Sequence, residues 1–164
     1  MKKQLTLLRH AKSSWQYAVE DRNRPLTVKG IERIKAVSKA SAAVFQNFDY
    51  VYCSPANRAL HTATIMLESL GLPFEKLIVT EQLYTFDPSD VLKFIHSLDD
   101  KNHRVICVGH NPAFTDVVNA LGDQPCDNLP TAAWSHLQFN QEKWASIKNG
   151  VTQYGIPKQM LQNG

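Results

Sequence analysis

The stretch Arg104-Val105-Ile106-Cys107-Val108, with Gly109 after it, is the clearest buried strand in the sequence. Four consecutive apolar residues are typical of a strand that is covered on both faces, as the strands of a parallel sheet are. Helices on each side of the sheet supply that cover. The stretch therefore favours an α/β protein, and we predict a three-layer α/β/α sandwich with a mostly parallel sheet.

Shorter strands and amphipathic helices alternate along the rest of the chain. Apolar runs that end at polar residues or proline predict three more strands, at residues 5–8, 50–53 and 77–80. Apolar residues at helical spacing predict helices at residues 29–45, 57–70, 88–98 and 112–121. Thr27 is expected to cap the first helix, and Gly71 to follow the second at its C′ position. The resulting βαβα order agrees with a parallel sheet.

Two segments fall outside that alternation. Residues 9–24 are polar and have little periodicity, which predicts a long loop, and loops of this kind often carry function. Trp15, within this loop, is expected to pack against the first helix, with lining of the mouth of a substrate site as the alternative. Residues 136–139 alternate polar and apolar side chains, which predicts an antiparallel strand at the edge of the sheet, alone or with a second one.

The composition is that of a folded domain. Of the 164 residues, 43% are hydrophobic and 20% are charged, which suits one domain over residues 1–164. The formal net charge of +3 is spread along the chain without a basic run, so no nucleic-acid partner is expected. The N-terminal apolar run is too short for a signal peptide, and no stretch is long enough to span a membrane. The three cysteines lack CxxC spacing, and we expect a cytoplasmic protein without a membrane partner.

Polar residues that follow the predicted strands form the candidate site. Open α/β sheets bind ligands beyond the carboxyl ends of their strands. Two arginines, two histidines, a serine and a glutamate occupy such positions: Arg9, His10, Ser54, Arg58, Glu81 and His110. If the sheet brings these side chains to one edge, the arginines and histidines make a compact cationic pocket.

A cationic pocket of this composition suits a phosphoryl group. A guanidinium group pairs bidentately with phosphate oxygens, and the helix that begins near Asn57 adds oriented N–H groups. A neutral imidazole can attack phosphorus. An isolated Arg-His pair is more often a surface feature, so the interpretation depends on the combination of motifs after several strands.

These motifs resemble those of the histidine phosphatase superfamily, which includes the phosphoglycerate mutases. Leu7-Leu8-Arg9-His10-Ala11 is similar to the family's Arg-His-Gly signature, with alanine in the glycine position. Two other segments are similar to its second and third signatures: Ser54-Pro55-Ala56-Asn57-Arg58-Ala59-Leu60-His61-Thr62-Ala63 and Val108-Gly109-His110-Asn111. The SixA-type phosphohistidine phosphatase branch is resembled in particular by the long form Arg9-His10-Ala11-Lys12-Ser13-Ser14-Trp15, followed by Asp21-Arg22-Asn23-Arg24-Pro25-Leu26-Thr27 and Gly30.

The resemblance implies a phosphoglycerate mutase-like fold and a phosphatase that needs no cofactor. It implies that His10 is the nucleophile, while Arg9, Arg58 and His110 bind the transferred phosphoryl group. Arg24 is expected to add a phosphate contact, with a surface role as the alternative. No large insertion follows the third strand, so no cap domain is expected. The remaining histidines are not at metal-ligand spacing, and no metal site is predicted.

The sequence does not decide which residue is the general acid. Glu81 and Asp21 are the candidates to protonate an alkoxide leaving group. Asp21 can instead position Arg22 or Arg24, and Glu81 can be a solvated strand end. Phosphohistidine depends less on an acid, because its imidazole leaves as a neutral group once it is protonated. We therefore predict hydrolysis of phosphohistidine on a partner protein, such as a histidine phosphotransfer domain.

Three alternatives remain, of which a mutase is disfavoured because it needs a closed pocket that retains a bisphosphate intermediate. A small-molecule phosphomonoesterase would use the same His10 centre on a small phosphorylated substrate, with Glu81 or Asp21 as its acid. A non-catalytic phosphate-binding module would bind the anion without turnover, and it is disfavoured because both arginines and both histidines are intact.

Overall fold

A computed structural model describes residues 1–161, and this part of the chain contains one six-stranded sheet. Its strands are, in chain order, β1 (Gln4–Arg9), β2 (Tyr50–Cys53), β3 (Leu77–Val79), β4 (Arg104–Gly109), β5 (Trp134–Gln138) and β6 (Val151–Gly155). They lie side by side in the order β3-β2-β4-β1-β5-β6. The first four are mutually parallel, whereas β5 is antiparallel to both β1 and β6. The predicted α/β fold with a mostly parallel sheet is confirmed.

Helices connect the parallel strands, as their order in the sequence requires. They are α1 (Val28–Ala40), α2 (Ala42–Phe45), α3 (Asn57–Ser69), α4 (Pro88–His96), α5 (Ala113–Leu121) and α6 (Pro157–Met160). Short 3-10 turns occupy Asp21–Asn23, Phe74–Lys76, Glu81–Leu83 and Trp144–Ser146. Among residues 1–161 there is no helix whose length and apolar character would let it cross a membrane.

The apolar core lies on both faces of the sheet. Leu7 of β1 belongs to a cluster with Phe114 of α5, whereas its neighbour Leu8 belongs to a cluster with Ile34 of α1, and all four side chains are fully buried. Neighbouring strand residues point to opposite faces, so β1 supplies apolar side chains to both clusters. Burying each such side chain stabilises the folded chain by about 2 kcal/mol. Because both faces of the central strands are buried, their apolar runs are continuous.

The helix predicted at residues 29–45 is two helices. Its start is as expected, because the Thr27 hydroxyl accepts a hydrogen bond from the N–H of Gly30 at 2.9 Å. Ser41 separates α1 from α2, with φ −110° and ψ 20°. Its hydroxyl accepts a hydrogen bond from the indole N–H of Trp134 at 2.8 Å. The prediction of one helix is wrong because this long-range contact, which the helical periodicity does not show, lies at the break.

The C-terminal part of the sheet is antiparallel, as the alternation at residues 136–139 predicts. The strand there is β5, which lies between β1 and β6, and β6 forms the edge of the sheet. At the opposite edge, β3 has half-exposed and exposed side chains. The strands β1, β2 and β4, at whose carboxyl ends Arg9-His10, Ser54 and His110 lie, are therefore within the sheet with a strand on each side of them, whereas Glu81 follows the edge strand β3.

The long loop after β1 folds back onto the start of α1. The N–H of Thr27 donates to the carbonyl of Lys12 at 2.9 Å, and that of Ser14 donates to the carbonyl of Pro25 at 2.8 Å. A Cβ atom at Gly30 would overlap the Lys12 carbonyl oxygen. Glycine therefore permits the close approach of helix and loop, two residues after His10.

Candidate active site

The site lies beyond the carboxyl ends of β1, β2 and β4. Arg9 is the last residue of β1 and His10 follows it, His110 follows β4, and Arg58 is in the first turn of α3, after β2. The centroids of the His10 and His110 rings are 5.3 Å apart. Three segments that are distant in sequence are thus brought to one edge of the sheet, where the sequence places them.

His10 is held as a neutral imidazole with one free nitrogen. Its Nδ1 lies 2.7 Å from the carbonyl oxygen of Ala11, so Nδ1 carries the proton and donates it to that oxygen. The lone pair is then on Nε2. Burial, with a smaller effect of the positive charges of Arg58 and Arg9, lowers the pKa of His10 to about 4, although the hydrogen bond to the Ala11 carbonyl opposes the shift. At neutral pH the side chain can therefore act as a nucleophile.

His110 is buried and also neutral, and it is oriented by Ser54. Burial is the main cause that lowers the pKa of His110 to about 3. Its Nε2 lies 2.8 Å from the Ser54 hydroxyl, which accepts a second hydrogen bond from the N–H of Ala56 at 3.2 Å. When Ser54 donates its proton to Nε2, the ring proton of His110 is on Nδ1. That nitrogen is buried and has no partner within residues 1–161.

Arg9 supplies a second buried donor of this kind. Its Nη1 donates to the carbonyl of Leu129 at 2.9 Å, which fixes the guanidinium group. Its Nε is buried and has no partner in the described part of the chain. Burial lowers the pKa of Arg9 from its ordinary value. Buried donors are nearly always hydrogen-bonded in proteins, so Arg9 Nε and His110 Nδ1 are each available to donate to a bound anion.

Arg58 and Arg24 both contact Asp21 of the first loop. Arg58 donates to the Asp21 backbone carbonyl at 2.7 Å and to its carboxylate at 3.0 Å. Arg24 donates to the other carboxylate oxygen at 3.2 Å. Burial alone would raise the pKa of Asp21, but hydrogen bonds from Tyr84 and Arg58 outweigh it and lower the pKa to about 2. Asp21 is thus a carboxylate at neutral pH and has no proton to donate.

Tyr84 is a site residue for which the sequence gives no signal. Its hydroxyl donates to the Asp21 carboxylate at 2.6 Å. Its ring centroid is 5.6 Å from that of His110, and the ring of Phe86 is 5.5 Å from His110. Both tyrosine and phenylalanine follow the 3-10 turn after β3. In the sequence, only the position of these two residues after the third strand indicates that they lie near the site.

Comparisons with known proteins agree with this arrangement. Residues 5–83 match the family model of the histidine phosphatase superfamily (branch 1). Protein Rv1276c of Mycobacterium tuberculosis strain H37Rv is 31% identical over 153 residues, which cover 87% of this chain and 93% of that protein. The chain belongs to the histidine phosphatase superfamily.

Solved structures of other proteins are similar to this superfamily member over nearly the whole chain. The protein histidine phosphatase SixA, in complex with tungstate, is 22% identical and has a TM-score of 0.80, over 96% of this chain and 99% of that one. The mycobacterial glucosyl-3-phosphoglycerate phosphatase Rv2419c is 14% identical, with a TM-score of 0.67, over 95% of this chain and 98% of that one. At these identities the likeness is one of fold.

In this superfamily member Glu81 forms an exposed ion pair with Arg22. It begins the 3-10 turn after β3, and both of its carboxylate oxygens accept hydrogen bonds from Arg22, one of them at 3.1 Å. Its side chain is 67% exposed. The hydrogen bond from Arg22 is the main cause that lowers the pKa of Glu81. The structure therefore presents Glu81 as an ionised surface residue rather than as a buried acid.

Trp15 of this superfamily member does not pack against α1. It is 79% exposed, and its ring covers the guanidinium group of Arg24 with 3.2 Å between the guanidinium carbon and the ring centroid. The expectation of helix packing is wrong because stacking on a cation holds the indole at the loop surface. Arg24 also donates to the Ser14 carbonyl at 3.1 Å and to the Ser13 hydroxyl at 2.6 Å. Arg24 is itself buried.

Metal ligands do not converge at this site. No group of three or more histidine, cysteine, aspartate or glutamate side chains that could hold a metal ion occurs within residues 1–161. Cys53 and Cys107 are buried in the two core clusters. Burial raises the pKa of both thiols, so they are protonated and behave as small apolar residues.

Proposed function

We propose that the chain is a phosphatase that forms a covalent phosphohistidine intermediate on His10 and hydrolyses phosphohistidine on a protein. The observation that carries the proposal is the state of His10: a buried, neutral imidazole whose Nε2 lone pair is free. The buried donors Arg9 Nε and His110 Nδ1, which have no partner in the described residues, support a phosphoryl site next to it.

In the first step His10 Nε2 attacks the phosphorus atom of the substrate. The new bond joins Nε2 to phosphorus, and the bond from phosphorus to the substrate imidazole breaks. His10 becomes a cation, since Nδ1 keeps its proton, and the Ala11 carbonyl at 2.7 Å stabilises that charge. The positive charges of Arg9 and Arg58 offset charge on the outer oxygens, and the neutral His110 donates a hydrogen bond to them from Nδ1. The substrate imidazole, protonated beforehand on its other nitrogen, departs as a neutral group.

In the second step water attacks the phosphorus of phospho-His10. The bond from Nε2 to phosphorus breaks, and its electrons return to Nε2, which restores the neutral imidazole. Dihydrogen phosphate is released with both protons of the water. With phosphohistidine as the substrate, neither step therefore needs a proton from the enzyme.

This proton balance favours phosphohistidine over a phosphate ester. An alkoxide leaving group must receive a proton, and neither candidate carboxyl group can provide one at neutral pH, because the pKa of Asp21 is lowered to about 2 and that of Glu81 is lowered as well. The exposed side chains of Trp15 and Phe86 near the site also suit a substrate presented on a protein surface. The fold likeness to the protein histidine phosphatase SixA points the same way.

The test compares two substrates on equal enzyme. A protein phosphorylated on histidine and an alkyl phosphate ester, glycerol 2-phosphate, whose alkoxide leaving group needs a proton, are given separately to the wild-type chain, to His10→Ala, and to His61→Ala as a control in an exposed position of α3. We expect the wild-type chain to hydrolyse the phosphoprotein fast and the ester slowly. His10→Ala should hydrolyse neither substrate, and His61→Ala should hydrolyse both at the wild-type rates. Turnover of the ester alone would refute the proposal.

A small-molecule phosphomonoesterase is the second candidate. The observation in its favour is the likeness of fold to glucosyl-3-phosphoglycerate phosphatase. It would need Glu81 or Asp21 to supply a proton, so Glu81→Gln or Asp21→Asn would abolish ester turnover. A phosphate-binding module without turnover would instead bind inorganic phosphate and leave both substrates intact. One cytoplasmic domain over residues 1–164 remains part of the proposal.

A further inference from the structure

Asp21 lies between two of the guanidinium groups that face the proposed phosphoryl site. One of its carboxylate oxygens accepts from Arg58 at 3.0 Å, and the other accepts from Arg24 at 3.2 Å. The Asp21 backbone carbonyl accepts a second hydrogen bond from Arg58 at 2.7 Å. One residue of the loop thus fixes the planes of two arginines that come from separate segments of the chain.

Tyr84 also donates a hydrogen bond to Asp21. Its hydroxyl donates to the same carboxylate oxygen that Arg58 contacts, at 2.6 Å. Its ring lies between two charged or polar neighbours, with His110 at 5.6 Å between centroids and the Arg22 guanidinium at 5.7 Å from the ring centroid. The phenol is thus fixed by packing, and its short hydrogen bond fixes the carboxylate.

We propose that Tyr84 and Asp21 are a positioning pair, which orients Arg58 and Arg24 to bind the phosphoryl group during its transfer. This inference rests on the proposed function, since it assigns the two residues to the same site. Neither residue touches the reacting atoms in the proposal. Tyr84 acts on Asp21, and Asp21 acts on the arginines.

The arginines keep donors free for a ligand while the pair holds them. A guanidinium group has five N–H donors. Arg58 uses two of them on Asp21, which leaves three. Arg24 uses one on each of Ser14, Asp21 and Ser13, which leaves two. The hydrogen bonds to Asp21 therefore orient these side chains without saturating them.

The charge of the site also matches a phosphoryl group when Asp21 is included. Arg9, Arg58 and Arg24 contribute three positive charges, while His10 and His110 are neutral because burial lowers the pKa of each. The Asp21 carboxylate reduces the sum to +2. A phosphoryl group with two negative charges balances it. Removing the Asp21 charge would strengthen the attraction of the free site for any phosphate while releasing the arginines from their orientation.

Kinetics distinguish the orienting role of the pair from the effect of the Asp21 charge, because orientation of the arginines changes kcat whereas the charge also changes KM. Tyr84→Phe keeps the ring and every charge but loses the hydrogen bond to Asp21. We expect kcat, per active site titrated as phospho-His10, to fall about tenfold and KM to stay within about twofold. Asp21→Asn removes a negative charge, so kcat should fall by a similar factor while KM also falls. The double variant should be no slower than Asp21→Asn alone, because the pair acts as one unit.

A spectroscopic measurement tests the pair independently of turnover. In NMR spectra of the wild-type chain we expect separate, slowly exchanging side-chain N–H signals from Arg24 and Arg58, and in Tyr84→Phe we expect them to broaden. Tyr17→Phe, at an exposed position of the first loop, is the matched control and should change neither signals nor kinetics. Wild-type kinetics and unchanged arginine signals in Tyr84→Phe would overturn the inference.

Failure of the proposed function gives a different result. In that case the wild-type chain forms no phospho-His10 and turns over neither substrate, whatever residue 84 is. Failure of the positioning pair alone gives an active wild type and an equally active Tyr84→Phe. Additive losses in the double variant would also overturn the inference, since they would show that Tyr84 and Asp21 act separately.

Discussion

The Ser54 hydroxyl lies 2.8 Å from Nε2 of His110, and both residues are almost completely buried. Ser54 is the residue that follows β2, and His110 the one that follows β4, so the neighbouring positions of these strands in the sheet bring the two side chains together. The hydrogen bond decides which nitrogen of His110 is left to face the pocket. It therefore links the register of the sheet to the donor that the proposed phosphoryl site requires.

Ser54→Ala tests this link. Without the hydroxyl, Nε2 of His110 loses its buried partner and the ring is free to place its proton on either nitrogen. We expect kcat/KM to fall about tenfold and the free energy of unfolding to fall by about 1–3 kcal/mol. Steady-state kinetics and urea titration measure the two effects.

Ser135→Ala is the matched control for that variant. Ser135 is equally buried, but its hydroxyl has no hydrogen-bond partner within residues 1–161. We expect wild-type kinetics and a change in stability of less than about 1 kcal/mol. Equal losses in the two variants would show that Ser54 matters only for packing.

The stability of the fold should depend on pH through His10. Its pKa in the folded chain is about 4, below the ordinary value of 6.5. Between these values the unfolded chain binds a proton that the folded chain does not, so stability rises with pH and is lost as the pH falls from about 6.5 to about 4. The contribution is of the order of 3 kcal/mol. Thermal unfolding of the wild type and of His10→Asn across this range measures it.

His10→Asn should make this dependence shallower, while His110, whose pKa burial also lowers, keeps its own contribution. Asparagine occupies a similar volume and takes up no proton, so the number of protons bound on unfolding near pH 5 should fall by about one. His96→Asn, at an exposed position of α4, should keep the wild-type slope. A wild-type slope in His10→Asn would mean that His10 is already protonated in the folded chain at that pH.

The close approach of α1 to the first loop predicts a sensitive glycine. Gly30→Ala places a Cβ atom on the Lys12 carbonyl oxygen, and backbone on both sides must move to make room. We expect a loss of about 1–3 kcal/mol in stability and a lower kcat, because Lys12 is two residues from His10. Urea titration and kinetics are compared with Lys29→Ala, which replaces the exposed neighbour. Wild-type stability in Gly30→Ala would show that the loop is not held against the helix.

Glu81→Gln distinguishes a surface ion pair from a catalytic acid. In the structure Glu81 is exposed and paired with Arg22. Exposed ion pairs contribute less than about 1 kcal/mol, so stability should change little. We expect hydrolysis of the histidine phosphoprotein to stay within about twofold of the wild-type rate. A rate reduced more than about tenfold would identify Glu81 as a general acid, which the proposed mechanism does not need.

Much of the fold can be predicted from local patterns. The buried run from Val105 to Val108 indicates a parallel sheet, and the structure places it in β4 with strands on both sides. The start of α1 is predictable because Thr27 is a typical N-cap. The break at Ser41 is not, since it coincides with a hydrogen bond from Trp134, far away in the chain.

The candidate site also contains residues that local patterns predict and residues that they do not. Arg9, His10, Arg58 and His110 are accessible to sequence reasoning because each follows a strand and parallel strands end at one edge. The partners that hold them are not. Tyr84 reaches Asp21 across a sequence separation that no short motif records, and the cover of Trp15 on Arg24 depends on how the loop folds.

The most direct test of the proposed chemistry is to trap the phosphoryl group on the enzyme. The wild-type chain is mixed briefly with a protein phosphorylated on histidine, quenched at alkaline pH and analysed by mass spectrometry. We expect one acid-labile phosphoryl group, mapped to His10 and absent from His10→Asn. Hydrolysis without a phosphorylated residue, or a phosphoryl group on any other residue, would contradict the account.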